Sequence, residues 1–230
     1  MPRYEFTTGQ VLTADQMNDL SDQTVMTFAG TAARGSAIPS PTEGMMTYRS
    51  DDDVVEVFDG SAFVGVGGGK ILQVASTSKI DTFSQGSVGA GAFVSVTGLS
   101  VSITPTSTSS KILISGYVVV ANDFSGLQAI NVAVRLKRGA TVLNVPATAG
   151  DRVVASSIMR TAGNDAAVAA AVPFEFLDSP STTSATTYSI DIGNVGTATS
   201  TLFVNRTATD SNTQFFSRTA SVITVMEVAA

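Results

Sequence analysis

The stretch VTGLSVSITPTSTSSKILISGYVVV, residues 96–120, alternates apolar and polar residues on both sides of one proline and a run of hydroxyls. Leu99, Val101 and Ile103 project one way and Ser100, Ser102 and Thr104 the other. Ile112 and Ile114 resume the alternation beyond the turn. This is the two-residue period of a half-buried strand, and a slip of one residue would turn the whole apolar set to water. Pro105 ends the first strand because it has no N–H to donate to a ladder, and the hydroxyls of TSTSS can satisfy a turn's backbone locally. Two core strands joined by a polar turn are therefore expected.

The same period extends to the C-terminus. Strands are predicted over 71–76, 93–96, 100–104, 111–121, 130–138, 141–145, 156–160, 167–176, 187–195, 201–206 and 221–228. Connections of hairpin length favour an antiparallel β-sandwich of jelly-roll type, with no helix needed after residue 70. Upstream, Thr13 is an N-cap candidate for a helix over 14–22, with Leu12, Met17 and Leu20 on one face. An extended segment over 25–28 and a short Ala-rich turn ended by Pro39 and Pro41 follow. Strands over 45–49, 54–58 and 62–66, joined by an acidic turn and by Asp59-Gly60, make a β-meander. GVGGGK reads as a hinge, since it lacks P-loop spacing and no helix follows it. The predicted organisation is mainly β: a small α+β module over 1–66, a Gly-rich linker over 67–70 and a sandwich over 71–230.

Composition narrows the chemistry. The chain has 230 residues, 43% of them hydrophobic, which is enough for a substantial core, and only 14% charged. A net charge of −6 with 13 scattered basic residues argues against nucleic-acid binding; the densest basic group is Arg135, Lys137 and Arg138. With no cysteine there are no disulfides or thiolate metal sites, and with no histidine the commonest metal ligand and general base is missing. No catalytic, metal or cofactor residue is assigned, and a non-enzymatic protein without cofactors is expected. The N-terminus lacks the apolar core of a signal peptide, and the apolar stretch AAVAAAV stops at Pro173, so neither signal-directed export nor membrane insertion is expected.

Asp51, Asp52 and Asp53 read as a solvated hairpin turn, because neighbouring strand residues face opposite ways and the spacing of a calcium loop is missing. Asp151 with Arg152, and Asp210 with Arg218, read as surface or inter-subunit pairs. Glycan hydrolysis would need two carboxylates held across a cleft, and Glu175 and Asp178 read instead as a strand end and a turn. Asn205-Arg206-Thr207 matches the N-glycosylation pattern, a short motif that carries little information by itself. Phe83, Phe93, Phe174 and Phe176 are expected in the core. Phe215 and Phe216 are adjacent in the polar segment DSNTQFFSR, so one must face outward. They are the candidate exposed contact, with a neighbouring subunit first and a receptor second.

VTGLSVSITPTSTSSKILISGYVVV, followed by INVAVRLKRGATVL, FLDSPSTTSATTYSIDI, LFVNRTATD and RTASVITVMEV, resembles the C-terminal β-domain of tailed-bacteriophage tail-fibre and other virion proteins. Residues 9–64 are similar to a module at the front of phage minor tail and fibre proteins. The resemblance implies a structural protein exposed on the virion and assembled in the host cytoplasm. It further implies a homo-oligomer, typically a trimer, acting by multivalent binding. Its first module would attach to other phage virion proteins, with Val11, Leu12, Met17, Leu20, Val25, Met26 and Phe28 as its apolar candidates. A host surface glycan or protein would be the outward partner. A short tail fibre or adhesin is the expected role; a capsid decoration, cement or head-fibre protein, or a glycan-degrading tailspike, are the alternatives.

Overall fold

The computed structural model describes residues 9, 11, 13–15, 25–66, 70–123, 128–162 and 166–229. The chain divides into two compact units, Met1–Gly69 and Lys70–Ala230. The predicted linker lies outside the described residues except for Lys70, and so does the predicted helix beyond its first residues, Ala14 and Asp15, which are helical.

The first unit contains β1 (Met26–Phe28), α1 (Thr31–Ala37), β2 (Met46–Arg49), β3 (Val54–Phe58) and β4 (Phe63–Gly65). Strands β2, β3 and β4 form the expected antiparallel meander, and β1 adds to β2 in parallel. The Ala-rich segment is a helix, not the predicted turn. Three alanines favour helical backbone, and Arg34 anchors the element by pairing with the buried Glu56 and lying 4.2 Å over the Phe63 ring. Glu56 also meets Arg49 Nε at 3.1 Å, so this buried acid is compensated from two sides. Arg49 reaches Asp52 (2.5 Å) and Asp51 (3.6 Å) in the following turn. The triple aspartate thus has an arginine as its counter-ion.

The second unit contains β5 (Ile71–Lys79), β6 (Phe83–Val88), β7 (Phe93–Ile103), β8 (Lys111–Asn122), β9 (Gln128–Arg138), β10 (Thr141–Leu143), β11 (Ser157–Ala162), β12 (Ala170–Asp178), β13 (Thr186–Asn194), β14 (Ser200–Val204) and β15 (Ser221–Val228). Three pairs of these run end to end along a shared neighbour. On one edge of β8, β15 covers Lys111 to Tyr117 and β14 covers Val120 to Asn122. On their far side β5 and β6 follow the same split. On one edge of β9, β10 and β11 do likewise. The result is eight strand lines in two sheets. Counted in chain order, the first pairs with the eighth, the second with the seventh, the third with the sixth and the fourth with the fifth. This nesting arises when one long folded ribbon rolls up, which is the expected jelly roll.

The sheets close on Leu99, Val101 and Ile103 of β7, Ile112, Ile114, Val118 and Val120 of β8, and inward residues of β9, β13 and β15. Residues 93–103 form one strand where two were predicted. Thr97-Gly98 is a bulge within it: Gly98 sits at φ +82°, and the inward set changes parity from Val94 and Val96 to Leu99, Val101 and Ile103. This parity turns Phe93 to the outer face, under the Arg135 guanidinium at 3.5 Å, so it is not the core residue expected. Phe83 and Phe176 pack against the core and Phe174 is buried within it. Strand β6 was not predicted, because its sequence FSQGSV is mostly polar; it pairs only with β14 and exposes its middle residues.

The hydroxyl turn has a second role beyond its own backbone. The register of β15 points Ser221, Ile223, Val225 and Glu227 inward, which buries a carboxylate. Thr106 donates to Glu227 through its N–H and its hydroxyl, both at 2.7 Å, and Gln73 Nε2 donates at 2.6 Å. Burial pushes the Glu227 carboxyl up, but hydrogen bonds from Gln73, Thr106 and Ser110 outweigh it and hold the pKa at about 2. Only Ser107 and Ser109 serve the turn itself.

Candidate functional site

Strand lines that break in the middle of a sheet would leave orphan backbone groups, and both long breaks are mended the same way. Between β14 and β15 the chain leaves the sheet over residues 205–220; between β10 and β11 it leaves over residues 144–156. Each excursion departs through an asparagine in the left-handed region, Asn205 at φ +61° and Asn144 at φ +49°, a conformation asparagine tolerates. Each returns through a serine whose hydroxyl fills the gap. Ser221 Oγ accepts from Val119 N–H (3.0 Å) and donates to Asn205 Oδ1 (2.6 Å). Ser156 Oγ accepts from Leu136 N–H (3.0 Å) and donates to the Leu143 carbonyl (2.9 Å). The two segments, NVPATAGDRVVAS and NRTATDSNTQFFSRTAS, share Asn-x-x-Ala-Thr at the start and Ala-Ser at the end. That shared pattern is the sequence signal that could have revealed the device.

Asn205 does more than start its loop. It is fully buried, and its Nδ2 donates to the carbonyls of Lys79 (2.8 Å) and Asp81 (3.0 Å), where β5 passes into β6. Its amide is therefore occupied and out of reach of a glycosylating enzyme. The excursion is braced above this pin. Arg218 grips Asp210 with Nε at 2.9 Å and Nη2 at 2.5 Å, and Arg206 approaches the same carboxylate at 3.4 Å. Arg206 also donates to the carbonyls of Thr207 and Ala208 and lies 4.7 Å over the Phe203 ring.

On this frame Phe215 is 67% exposed, while Phe216 is half-buried and meets it edge-on at 5.6 Å. Phe216 lines an open pocket of about 280 Å³ with Asp210, Ser211, Asn212, Thr213 and Arg218. The pairing of Asp210 with Arg218 expected from sequence is thus part of the site. Asp151 and Arg152 are exposed on the other excursion. Glu175 and Asp178 do not converge. Glu175 is exposed, whereas Asp178 is buried, gripped by Arg138 at 2.7 Å and bonded by the Tyr188 hydroxyl at 2.7 Å. Burial and the Asp178 hydrogen bond push the Tyr188 phenol well above its ordinary value. Of the attachment candidates, Val11 and Val25 are exposed at 89% and 51%, Met26 and Phe28 of β1 are half-buried, and Leu12, Met17 and Leu20 lie outside the described residues.

The pocket's one carboxylate is neutralised by two guanidiniums, which suits a structural role better than proton transfer. Among the described residues no group of three or more metal-ligating side chains converges.

No protein-family model matches the chain, and no curated protein does. Similar solved structures include the infectious bursal disease virus Gt strain, at 13% identity and TM-score 0.35, covering 88% of this chain and 54% of that one. The VP2 subviral particle of the same virus aligns at 15% identity and TM-score 0.32, covering 75% of this chain and 41% of that one. The chain spans about half the length of these structures or less.

Proposed function

We propose that this chain is a non-enzymatic structural component of a bacteriophage virion, with residues 71–230 displayed outward and residues 1–66 forming the attachment module. Within that role we favour a short tail fibre or adhesin-like component over a capsid decoration. The observation that carries the reading is Phe215: a large aromatic held in water on a loop whose base is locked into a core strand. Exposing a phenylalanine this way has a hydration cost, and the bracing of residues 205–220 lowers the ordering entropy that a contact would otherwise lose. Recognition then lies in a preorganised loop on a rigid sandwich, and several copies supply avidity. The segment resemblance to phage virion proteins supports the setting.

Soluble protein should adsorb to host cells and compete with particles for attachment. Phe215→Ala should weaken that competition by about tenfold or more, since truncation of an aromatic anchor typically costs ~2 kcal/mol. Wild-type protein that neither adsorbs nor competes would remove the adhesin reading, and an unchanged Phe215→Ala variant would remove this loop as the contact.

A further inference from the structure

The outer face of the sheet formed by β5, β15, β8 and β12 is built differently from the rest of the surface. Register places Val74, Met226, Leu113 and Leu177 side by side, one from each strand, in a single apolar row across the sheet. Val74 is 58% and Leu177 47% exposed, and Leu72, at 48%, extends the patch at the β5 edge. The outward positions of the four strands are 72, 74, 76 and 78; 222, 224, 226 and 228; 111, 113, 115 and 117; and 171, 173, 175 and 177. Among these sixteen only Lys111 and Glu175 are charged. In a chain of net charge −6 this face is neutral, and it is where two copies can approach without like-charge repulsion.

The two charges sit on opposite sides of the row. Lys111 is two residues before Leu113 on β8, and Glu175 lies opposite Ser115, two residues beyond it. We propose that a second copy of this chain packs on this face about a two-fold axis running along the apolar row. That axis reverses the strand direction, stacks each member of the row on its own counterpart, and brings Lys111 of each copy over Ser115 of the other, beside Glu175. A two-fold axis running along β8 would instead place Lys111 over Lys111. The opposed charges therefore select one of the two face-to-face arrangements, as an isologous interface requires. Aligned packing of twisted sheets accommodates such a contact at a spacing of ~10 Å. The pairing does not depend on the virion role, and its symmetry differs from the trimer that the resemblance implies.

Sedimentation of the full chain over a dilution series tests the proposal. Wild-type protein should show a monomer–dimer equilibrium. Val74→Lys and Leu177→Lys should shift it to monomer while leaving the thermal melt unchanged, because both side chains are already half in water. Lys111→Glu and Glu175→Lys should each weaken the dimer by about tenfold, and the double variant K111E/E175K should return to within about twofold of wild type. The rescue keeps the test decisive even if a lysine variant misfolds. A wild-type monomer at all concentrations, a trimer indifferent to these changes, or a double reversal without rescue would overturn the pairing.

Discussion

Glu227→Gln offers the sharpest perturbation of the fold. The wild-type carboxylate is buried at the end of β15 and accepts hydrogen bonds from Gln73 and from the N–H and hydroxyl of Thr106. Gln would keep the shape, remove the charge and set an amide N–H₂ against a donor. A carboxyl whose pKa falls from an ordinary 4.5 to about 2 on folding contributes on the order of 3 kcal/mol at neutral pH. This is an upper figure, because complete desolvation of so buried a group works against it. The folded-state pKa is depressed, so the contribution is fully present above 4.5 and is lost as pH falls toward about 2. Urea unfolding of both proteins at about pH 7 and about pH 3 reads this directly. The stability gap should be ~2 to 3 kcal/mol at neutral pH and shrink by at least half at the acid end. An equal gap at both pH values would show that Glu227 is not held as a carboxylate by the hydroxyl turn.

Gly116→Ala should destabilise the second unit by about 3 kcal/mol or more in urea unfolding, because a Cβ there would lie 2.1 Å from the Val222 carbonyl and 2.9 Å from the Phe174 ring, forcing β8 and β15 apart. Ser221→Ala should cost about 2 to 3 kcal/mol by leaving Val119 N–H and Asn205 Oδ1 unpaired in the core, whereas Ser217→Ala, on the exposed part of the same loop, should stay within ~0.5 kcal/mol. Equal effects of the two serine changes would refute the gap-filling role. Phe215→Ala should leave the melting temperature unchanged while lowering adsorption, separating contact from stability.

Much of the sandwich was legible because its strands are buried on one face, and burial imposes the alternation seen in Leu99, Val101 and Ile103 and again in Ile223 and Val225. Where burial was weak the pattern failed: β6, at a sheet edge with Gly86 and exposed polar residues, carries no apolar period. Thr97-Gly98 fell between two predicted strands because glycine serves bulges and strand breaks alike, and only the pairing with β13 distinguishes them. Phe93 changed face for the same reason. The helix α1 was hidden by its shortness, since its stability comes from Arg34 reaching Glu56 across 22 residues of chain. Phe215 could be singled out because two adjacent phenylalanines in a polar loop cannot both be buried. The brace beneath it could not, since it depends on Asn205, Ser221 and Val119, which meet only when β8 and the interrupted strand lie side by side.

The central claim, that the second unit is an outward-facing virion component, is tested most directly by counting this chain in purified intact particles and probing residues 205–220 there with a loop-specific antibody. The account predicts a chain that co-purifies with particles in low copy number, as a tail component would, with the loop accessible. Absence of the chain from purified particles, or a loop buried in the intact particle, would contradict it, and hundreds of copies per particle would move the protein from the tail to the capsid surface.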